Sequence, residues 1–218
     1  MLNINITNQE FTALIQPTSQ YGLNYDTVHV ETLFKTDNTV PPETAWYIPS
    51  GASIPPVVTE LYQISSQDIP MYPIFAEYLL KDTEDIRQQA TDGNFQDTAK
   101  DAAKLLLLSV LKKATISPVP GTNNIFFVCY DFKLYKNSQG FFDFMFQIPF
   151  DGFGFPAGGQ VKANIILPEN AKIDATRTKG TTPTGAEIQE SNGNTPTGRP
   201  IVSFTYQNDP NFIVSYSY

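Results

Sequence analysis

The chain has 218 residues, of which 41% are hydrophobic and 13% aromatic, so it can bury a full core and is not a disordered tail. Its net charge is −8, and the first 80 residues carry most of the excess acid, because Lys35 is their one basic residue. This balance argues against direct nucleic-acid binding, which needs a basic surface. It permits either a solvated acidic surface or a basic protein partner.

The first third of the chain alternates apolar and polar residues in short runs, which predicts short strands. Prolines at positions 41, 42, 49, 55 and 56 confine the later runs to sheet edges or extended surface segments. We therefore expect residues 1–72 to form an extended β-rich arm that packs along the C-terminal sheets or along a neighbouring molecule. The predicted strands cover residues 1–6, 11–15, 27–34, 45–48 and 57–64, with a loop at 16–26.

A helical hairpin is predicted for residues 73–114. Apolar residues lie on roughly one face of residues 74–91, while residues 95–113 carry an aspartate in the first turn and lysines in the last, in agreement with the helix dipole. Asn94 can cap this second helix. Since residues 105–111 are apolar on every side, we expect them to be buried in the core or, as the alternative, between subunits.

Residues 126–134 and 142–150 alternate strictly, which predicts a β-hairpin. A three-residue turn at 138–140 keeps one face apolar and places Gly140 where a left-handed residue is needed. The predicted register pairs Leu134 with Phe144, Phe132 with Phe146, and Tyr130 with Ile148. It also separates Asp131 from Asp143 by about 13 Å. That exceeds the roughly 5–9.5 Å of a glycosidase acid pair, so both are expected to be solvent-facing strand carboxylates.

Residues 161–167 predict a further strand, and residues 201–206 and 212–216 a closing hairpin. Between them, Thr-Pro-Thr-Gly occurs at 182–185 and again at 195–198, which indicates two similar turns leading into strands. The predicted fold is mainly β with the helical hairpin inserted. It is an antiparallel β-sandwich, with jelly-roll-like connectivity among the topologies that fit. Residues 115–218 form its second β half and are expected to make one domain with residues 1–72.

Aromatic residues in loops are the candidate contacts to a partner. Phe153 and Phe155 lie between glycines in residues 150–159, where phenylalanines can anchor a partner or a lipid surface. The alternative, which we favour, is that they fold back as a lid on the core. The full set of candidate contact residues is Phe150, Phe153, Phe155, Tyr21, Tyr25 and Trp46.

The sequence contains no recognisable reaction centre. His29, the single histidine, is expected to be a hydrogen-bonded strand residue rather than a metal ligand. Cys129 is the single cysteine, which excludes an internal disulfide framework, and its place in a strand predicts a packed, unreactive thiol. Motifs for nucleotides, calcium and serine hydrolysis are missing. We therefore expect a protein that is not an enzyme and uses no cofactor or metal.

The N-terminus has neither a charged segment nor a long apolar run, so no signal peptide is expected, and residues 105–111 are too short to span a membrane. The chain resembles virion proteins in its general composition, because it is rich in Asn, Thr, Pro and Phe, has the alternation typical of β-strands and is poor in cysteine.

We therefore predict a structural subunit of a large assembly: a viral (phage) capsid or capsid-associated protein, assembled in the host cytoplasm and located in the virion. Its partners would be copies of itself or other subunits. The first alternative is a β-sandwich module that binds a glycan or cell-surface partner. The second is a membrane-active protein that inserts the Phe153/Phe155 loop or residues 105–111.

Overall fold

The computed structural model shows a mainly β protein, with 46% of the chain in strands and 16% in helices, which confirms the predicted class. The strands form three sheets. The structure describes residues 4–42, 44–54, 56–62, 64, 72–75, 83, 86–147, 150, 153–207 and 210–218.

Within these ranges the chain forms fourteen strands and three α-helices. The strands are β1 (Ile6–Gln16), β2 (Tyr25–Thr36), β3 (Trp46–Pro49), β4 (Ile74–Phe75), β5 (Leu111–Ala114), β6 (Ile125–Tyr135), β7 (Phe142–Gln147), β8 (Gln160–Ile166), β9 (Lys172–Ile173), β10 (Lys179–Thr181), β11 (Glu187–Ile188), β12 (Ser191–Asn194), β13 (Pro200–Tyr206) and β14 (Asn211–Ser217). The helices are α1 (Pro56–Leu61), α2 (Ile86–Thr91) and α3 (Phe95–Leu107), with 3-10 turns at Thr18–Tyr21 and Leu108–Val110.

The largest sheet has six strands in the order β12-β13-β8-β1-β2-β6. All neighbours are antiparallel except β1 and β8, which run parallel. Of the two strands predicted at 1–6 and 11–15, residue 6 and residues 11–15 belong instead to a single strand, β1, which shifts register between Ile6 and Asn8, and residues 1–3 lie outside the described residues. Because β1 lies between β8 and β2, Ile6–Gln16 is a central strand of this sheet.

The second sheet has the order β11-β10-β14-β7, with β9 also pairing with β14, and the third has the order β4-β3-β5. The two larger sheets meet through aromatic rings. Phe11 in β1 stacks on Phe146 in β7 with 4.8 Å between ring centroids, and Phe204 in β13 meets Phe212 in β14 at 4.6 Å. The main core therefore lies between these two sheets, where such ring pairs add about 0.5–1.5 kcal/mol each beyond the area they bury.

The prediction that residues 126–134 and 142–150 pair as a hairpin is wrong, although the turn between them is predicted correctly. The turn closes as expected, since Asn137 N donates to Phe141 O and Gly140 has φ +86°. After one bridge the strands separate, because β6 pairs with β2 and β7 pairs with β14. Phe132 and Phe144 consequently meet across the two sheets, with 5.9 Å between ring centroids. Ile148, the predicted partner of Tyr130, lies outside the described residues.

The prediction that residues 201–206 and 212–216 form a closing hairpin is also wrong, because the two strands lie in different sheets. β13 pairs with β8 in the six-stranded sheet, whereas β14 pairs with β7 and β10 in the second. The strand predicted at 161–167 is confirmed as β8. Both connections carry the chain from one sheet to the other, which alternation alone does not reveal.

The two Thr-Pro-Thr-Gly sequences form the same turn in two different sheets. In each, the carbonyl O of the first threonine accepts a hydrogen bond from the glycine N. The threonine N donates to the carbonyl O of the residue after the glycine, and the N of that residue donates to the threonine Oγ1. The turn at 182–185 joins β10 to β11, and the turn at 195–198 joins β12 to β13. Gly185 and Gly198 have φ of +85° and +84°, a region that favours glycine. The repeat therefore encodes a hairpin turn.

The helical region differs from the prediction at both ends. Ile74–Phe75 is strand β4, residues 76–82, 84 and 85 lie outside the described residues, and the first predicted helix is seen only as α2. The second ends at Leu107, and Leu111–Ala114 pairs with β3 instead. Asn94 caps α3 as predicted, accepting from Asp97 N.

Two predictions about burial and strand type in this part of the chain also fail. Leu105 is 40% exposed, so the burial expected for residues 105–111 holds only for part of them. Residues 57–61, predicted as the start of a strand, form α1, which opens on Pro56. Proline favours the first position of a helix because its φ is already helical.

Candidate functional site

Two of the predicted contact residues are core residues in this fold. Phe150 and Trp46 each have only 1% of their surface exposed. Both pack on Phe34, with ring centroids 5.6 Å and 6.0 Å away respectively. A partner could reach them only if the core opened, so the structure does not place them on a contact surface.

Phe153 and Phe155 are half-buried and pack on the core, as the lid alternative expects. Phe153 lies 4.6 Å from Phe75 and 5.3 Å from Trp46 between ring centroids. The Phe155 ring covers Gly159, where an added Cβ would stand 2.8 Å from it. The glycine allows this close approach.

The tyrosines remain accessible, to different degrees. Tyr21 is 83% exposed in the turn before β2. Tyr25 is half-buried, with the Lys133 ammonium 4.9 Å from its ring centroid and the Tyr135 ring 5.6 Å away. Tyr25, Lys133 and Tyr135 therefore form a cation–π and ring cluster where β2 begins and β6 ends.

Strand β6 and the outer face beside it are the most exposed apolar part of the large sheet. β6 is eleven residues long and lies at the end of the strand order. Leu33 of β2 is directly opposite Phe127 of β6, and the two are 39% and 50% exposed. We call these two residues with the adjoining edge of β6 the β6 surface. Sequence analysis missed it, although an apolar Phe127 on the otherwise polar face of β6 was a usable signal.

The backbone of β6 turns alternate residues outwards. Thr36 N donates to Asn124 O, so the main-chain N–H and C=O groups of the even-numbered residues of β6 face β2. Those of the odd-numbered residues face the opposite side, where Val119 N donates to Ile125 O. Residues 118 and 119 thus cover the start of the edge, and an added Cβ on Gly51 would stand 3.7 Å from Asp131 O. The outward main chain of Phe127 and Cys129 lies between these two points.

His29 joins a cluster on the same outer face. Its Nδ1 is 2.7 Å from Asp131 Oδ1, and its Nε2 is 3.5 Å from Glu31 Oε1 and 3.6 Å from Cys129 Sγ. The hydrogen bond to Asp131 raises the pKa of the imidazole above its ordinary value of 6.5. His29 is thus a hydrogen-bonded strand residue, as expected.

Cys129 does not match its prediction, because it is exposed and not packed. Desolvation, followed by the charges of Asp131 and Glu31, raises the pKa of its thiol. The order thiol, imidazole, carboxylate is that of a nucleophile with its base, yet the raised thiol pKa makes a weak nucleophile. Within the described part of the chain, no group of three or more His, Cys, Asp or Glu side chains is arranged to hold a metal ion.

The two aspartates considered as an acid pair serve different sheets. Asp131 is exposed on β6. Asp143 on β7 is half-buried and not solvent-facing as predicted. It accepts hydrogen bonds from Arg177 Nη2 at 2.7 Å, Asn137 Nδ2 at 2.6 Å and Ser215 Oγ at 2.7 Å. These donors give it a structural role.

A cavity of about 440 Å³ opens beside the end of β6. One wall is residues 132–137, and the other is residues 49 and 51–54 with Thr59, Ile64 and Val110. Its size falls within the ~300–1,000 Å³ of typical ligand pockets. Sequence analysis missed it because its walls come from distant segments.

No family model matches the chain, and no curated protein matches its sequence. Among the described residues, no helix has the length and apolar character needed to cross a membrane.

Proposed function

We propose that this protein is a non-enzymatic structural subunit that joins copies of itself, or other subunits, in a large assembly. The assembly we favour is a virus particle, in which the chain would be a phage capsid or capsid-associated protein. The composition of the sequence supports the viral setting. The β6 surface, an apolar patch beside a sheet edge, is the observation that carries the proposal of self-association.

A sheet edge with exposed apolar side chains favours pairing with another chain. Edge strands present unpaired N–H and C=O groups, and natural proteins usually protect them with charge, proline or a covering segment. Here the outward main chain of Phe127 and Cys129 lies beside the exposed Phe127 and Leu33 side chains. Two copies related by a twofold axis could bury these groups against each other, since such an interface uses the same patch twice.

We also infer that the two larger sheets form a sandwich in which most neighbouring strands are antiparallel. Ring contacts between the sheets support this arrangement. The parallel pairing of β1 with β8 departs from jelly-roll connectivity, whose strands are antiparallel. An assembly subunit needs only the rigid framework of the sandwich and one exposed edge.

The test is light scattering on the purified protein over a concentration series, with negative-stain microscopy of any oligomers. We expect defined oligomers for the wild type and a monomer for Phe127→Glu, because the new charge would be buried in the interface. Phe95→Glu is the matched control, since it places the same charge on an exposed phenylalanine of α3, outside the six-stranded sheet. A wild type that stays monomeric, or two variants that associate equally, would contradict the proposal.

A second candidate function is a binding module for a glycan or a cell-surface partner. The Tyr25, Lys133 and Tyr135 cluster favours it, since aromatic rings provide rigid contact area at low entropy cost. Saturable binding of the monomer to a glycan array, lost in Tyr135→Ala, would favour this function. The membrane-active alternative is weakened by the packing of Phe153 against Trp46 and Phe75. Liposome flotation over several lipid compositions tests it directly.

A further inference from the structure

The cavity beside β6 has an apolar interior. Five of its wall residues have buried apolar side chains, and they come from four separate parts of the chain. Phe132 and Leu134 belong to the inward face of β6, Val110 follows α3, and Ile54 and Ile64 flank α1. A ligand that fills this space therefore gains by burying apolar surface, at about 25 cal/mol per Å².

Two lysines, Lys133 and Lys136, are among the wall residues of the cavity. The ammonium of Lys133 lies over the Tyr25 ring, and that of Lys136 lies 5.3 Å from the centroid of Phe142. Among the residues that the structure describes, neither ammonium is within ion-pair distance of a carboxylate. Both charges are therefore available to an anion.

The acidic residue in the cavity wall does not cancel these charges. Asp143 is bound by the Arg177 guanidinium at 2.7 Å and by two further hydrogen-bond donors. Its charge is matched by a cation outside the cavity wall, so the wall keeps the excess charge of the two lysines. Asn24 and Asn137 add neutral amide groups to the same walls.

We infer that this cavity binds a small amphiphilic anion, in which an apolar body carries a carboxylate. The apolar body occupies the space between Val110, Ile54 and Phe132, and the carboxylate faces Lys133 and Lys136. Neither the apolar walls nor the lysines alone would select this class. Together they favour a medium-length acyl carboxylate over a sugar, which would leave polar groups against apolar walls.

The test uses the full-length protein and isothermal titration with decanoate, below its micelle-forming concentration. Two ligands separate the contributions: decyltrimethylammonium keeps the chain and reverses the charge, and acetate keeps the carboxylate and removes the chain. We expect saturable one-to-one binding of decanoate and none of the other two. Equal binding of the cationic chain would overturn the role of the lysines, and binding of glucuronate without decanoate would overturn the apolar ligand.

Substitutions in the cavity walls test whether decanoate binds there. Lys133→Gln with Lys136→Gln should weaken decanoate binding by about threefold to tenfold, the range expected from two partly exposed charges. Lys100→Gln with Lys162→Gln removes two exposed lysines elsewhere and should leave binding unchanged. Ala52→Phe, at an exposed position of the wall, should block the cavity without disturbing the core. Undiminished binding in this variant, confirmed as folded by circular dichroism, would overturn the assignment.

Discussion

The buried carboxylate of Asp26 ties the end of the chain to its second strand, and its removal should be costly. Asp26 is fully buried and accepts hydrogen bonds from Tyr216 OH at 2.6 Å, Tyr218 OH at 2.7 Å and Ser19 N at 3.0 Å. Burial, reinforced by Asp26, raises the pKa of both tyrosine hydroxyls, so both remain donors at neutral pH. The carboxylate therefore joins Tyr216 and Tyr218, near residue 218, to the start of β2 and to the turn that precedes it.

The expected cost of Asp26→Ala follows from what is left behind. The Tyr216 hydroxyl is fully buried, and an unsatisfied buried donor costs about 1–3 kcal/mol. Tyr218 and Ser19 are half-buried and can recover part of their loss from water. The sum is about 3 kcal/mol, reduced somewhat because a charge no longer has to be buried. For a chain of this size it corresponds to a fall in Tm of roughly 6–12 °C.

Urea unfolding measures this loss, with Trp46, the single and buried tryptophan, as the fluorescent signal. Glu10→Ala is the control, because Glu10 is an exposed carboxylate on the neighbouring strand β1. The double variant of Asp26→Ala with Tyr216→Phe should lose less than the sum of the single losses, with a coupling of about 1–2 kcal/mol. If the free energies of unfolding lost in Asp26→Ala and in Glu10→Ala differed by less than about 1 kcal/mol, the reasoning would be refuted.

Three further substitutions test local contacts. Gly180→Ala should cost about 2–3 kcal/mol, because a Cβ there would stand 2.8 Å from a buried ring, whereas Gly193→Ala meets nothing within 4 Å and should be near neutral in the same urea assay. Arg199→Lys should cost about 1–2 kcal/mol, since the guanidinium donates to three main-chain carbonyls and an ammonium cannot match that geometry; an unchanged Tm would contradict it. His29→Gln should lose about 0.5 kcal/mol near pH 5.5 and less near pH 8.5. The pKa of His29 is raised by Asp131, so its stabilisation is complete below 6.5 and disappears as pH rises through the folded-state value. A loss that is the same at both pH values would argue against the ion pair.

The sequence predicts which faces are buried better than it predicts which strands are neighbours. Phe132 and Phe144 both point into the core, as their alternation indicates. Alternation has the same form whether two strands lie side by side or in facing sheets, so it could not separate these arrangements. The turn at Gly140 was predictable because its geometry depends on a few adjacent residues.

Residues 57–61 show how one local signal can override another. Val57 and Val58 favour strands, yet they lie in α1, which opens on Pro56. Residues 111–114 show the opposite, because Leu111 leaves the helical pattern to pair with Pro49. In this second case the decisive contact is distant in sequence, and no local propensity contains it.

One of the two candidate sites could have been predicted from the sequence, and the other could not. Phe127 could have been found, because it is apolar on a face that is otherwise polar, and its exposure follows from the edge position of β6. The cavity could not, because Ile54, Val110 and Phe132 meet only once the third sheet is placed beside β6. The burial of Trp46 depends on the same placement.

The central position of β1 has a consequence for how the protein is made. Its parallel partner β8 begins at Gln160, which pairs with Asn8, so the ribosome must add about 150 residues before this ladder can form. Closing so long a loop costs entropy before any contact offsets it, which slows folding. Until β8 has been made, the hairpin of β1 and β2 has no partner strand on the β1 side. A nascent chain therefore depends on whatever shields that edge, and a ribosome stalled before residue 160 would release a fragment prone to aggregate.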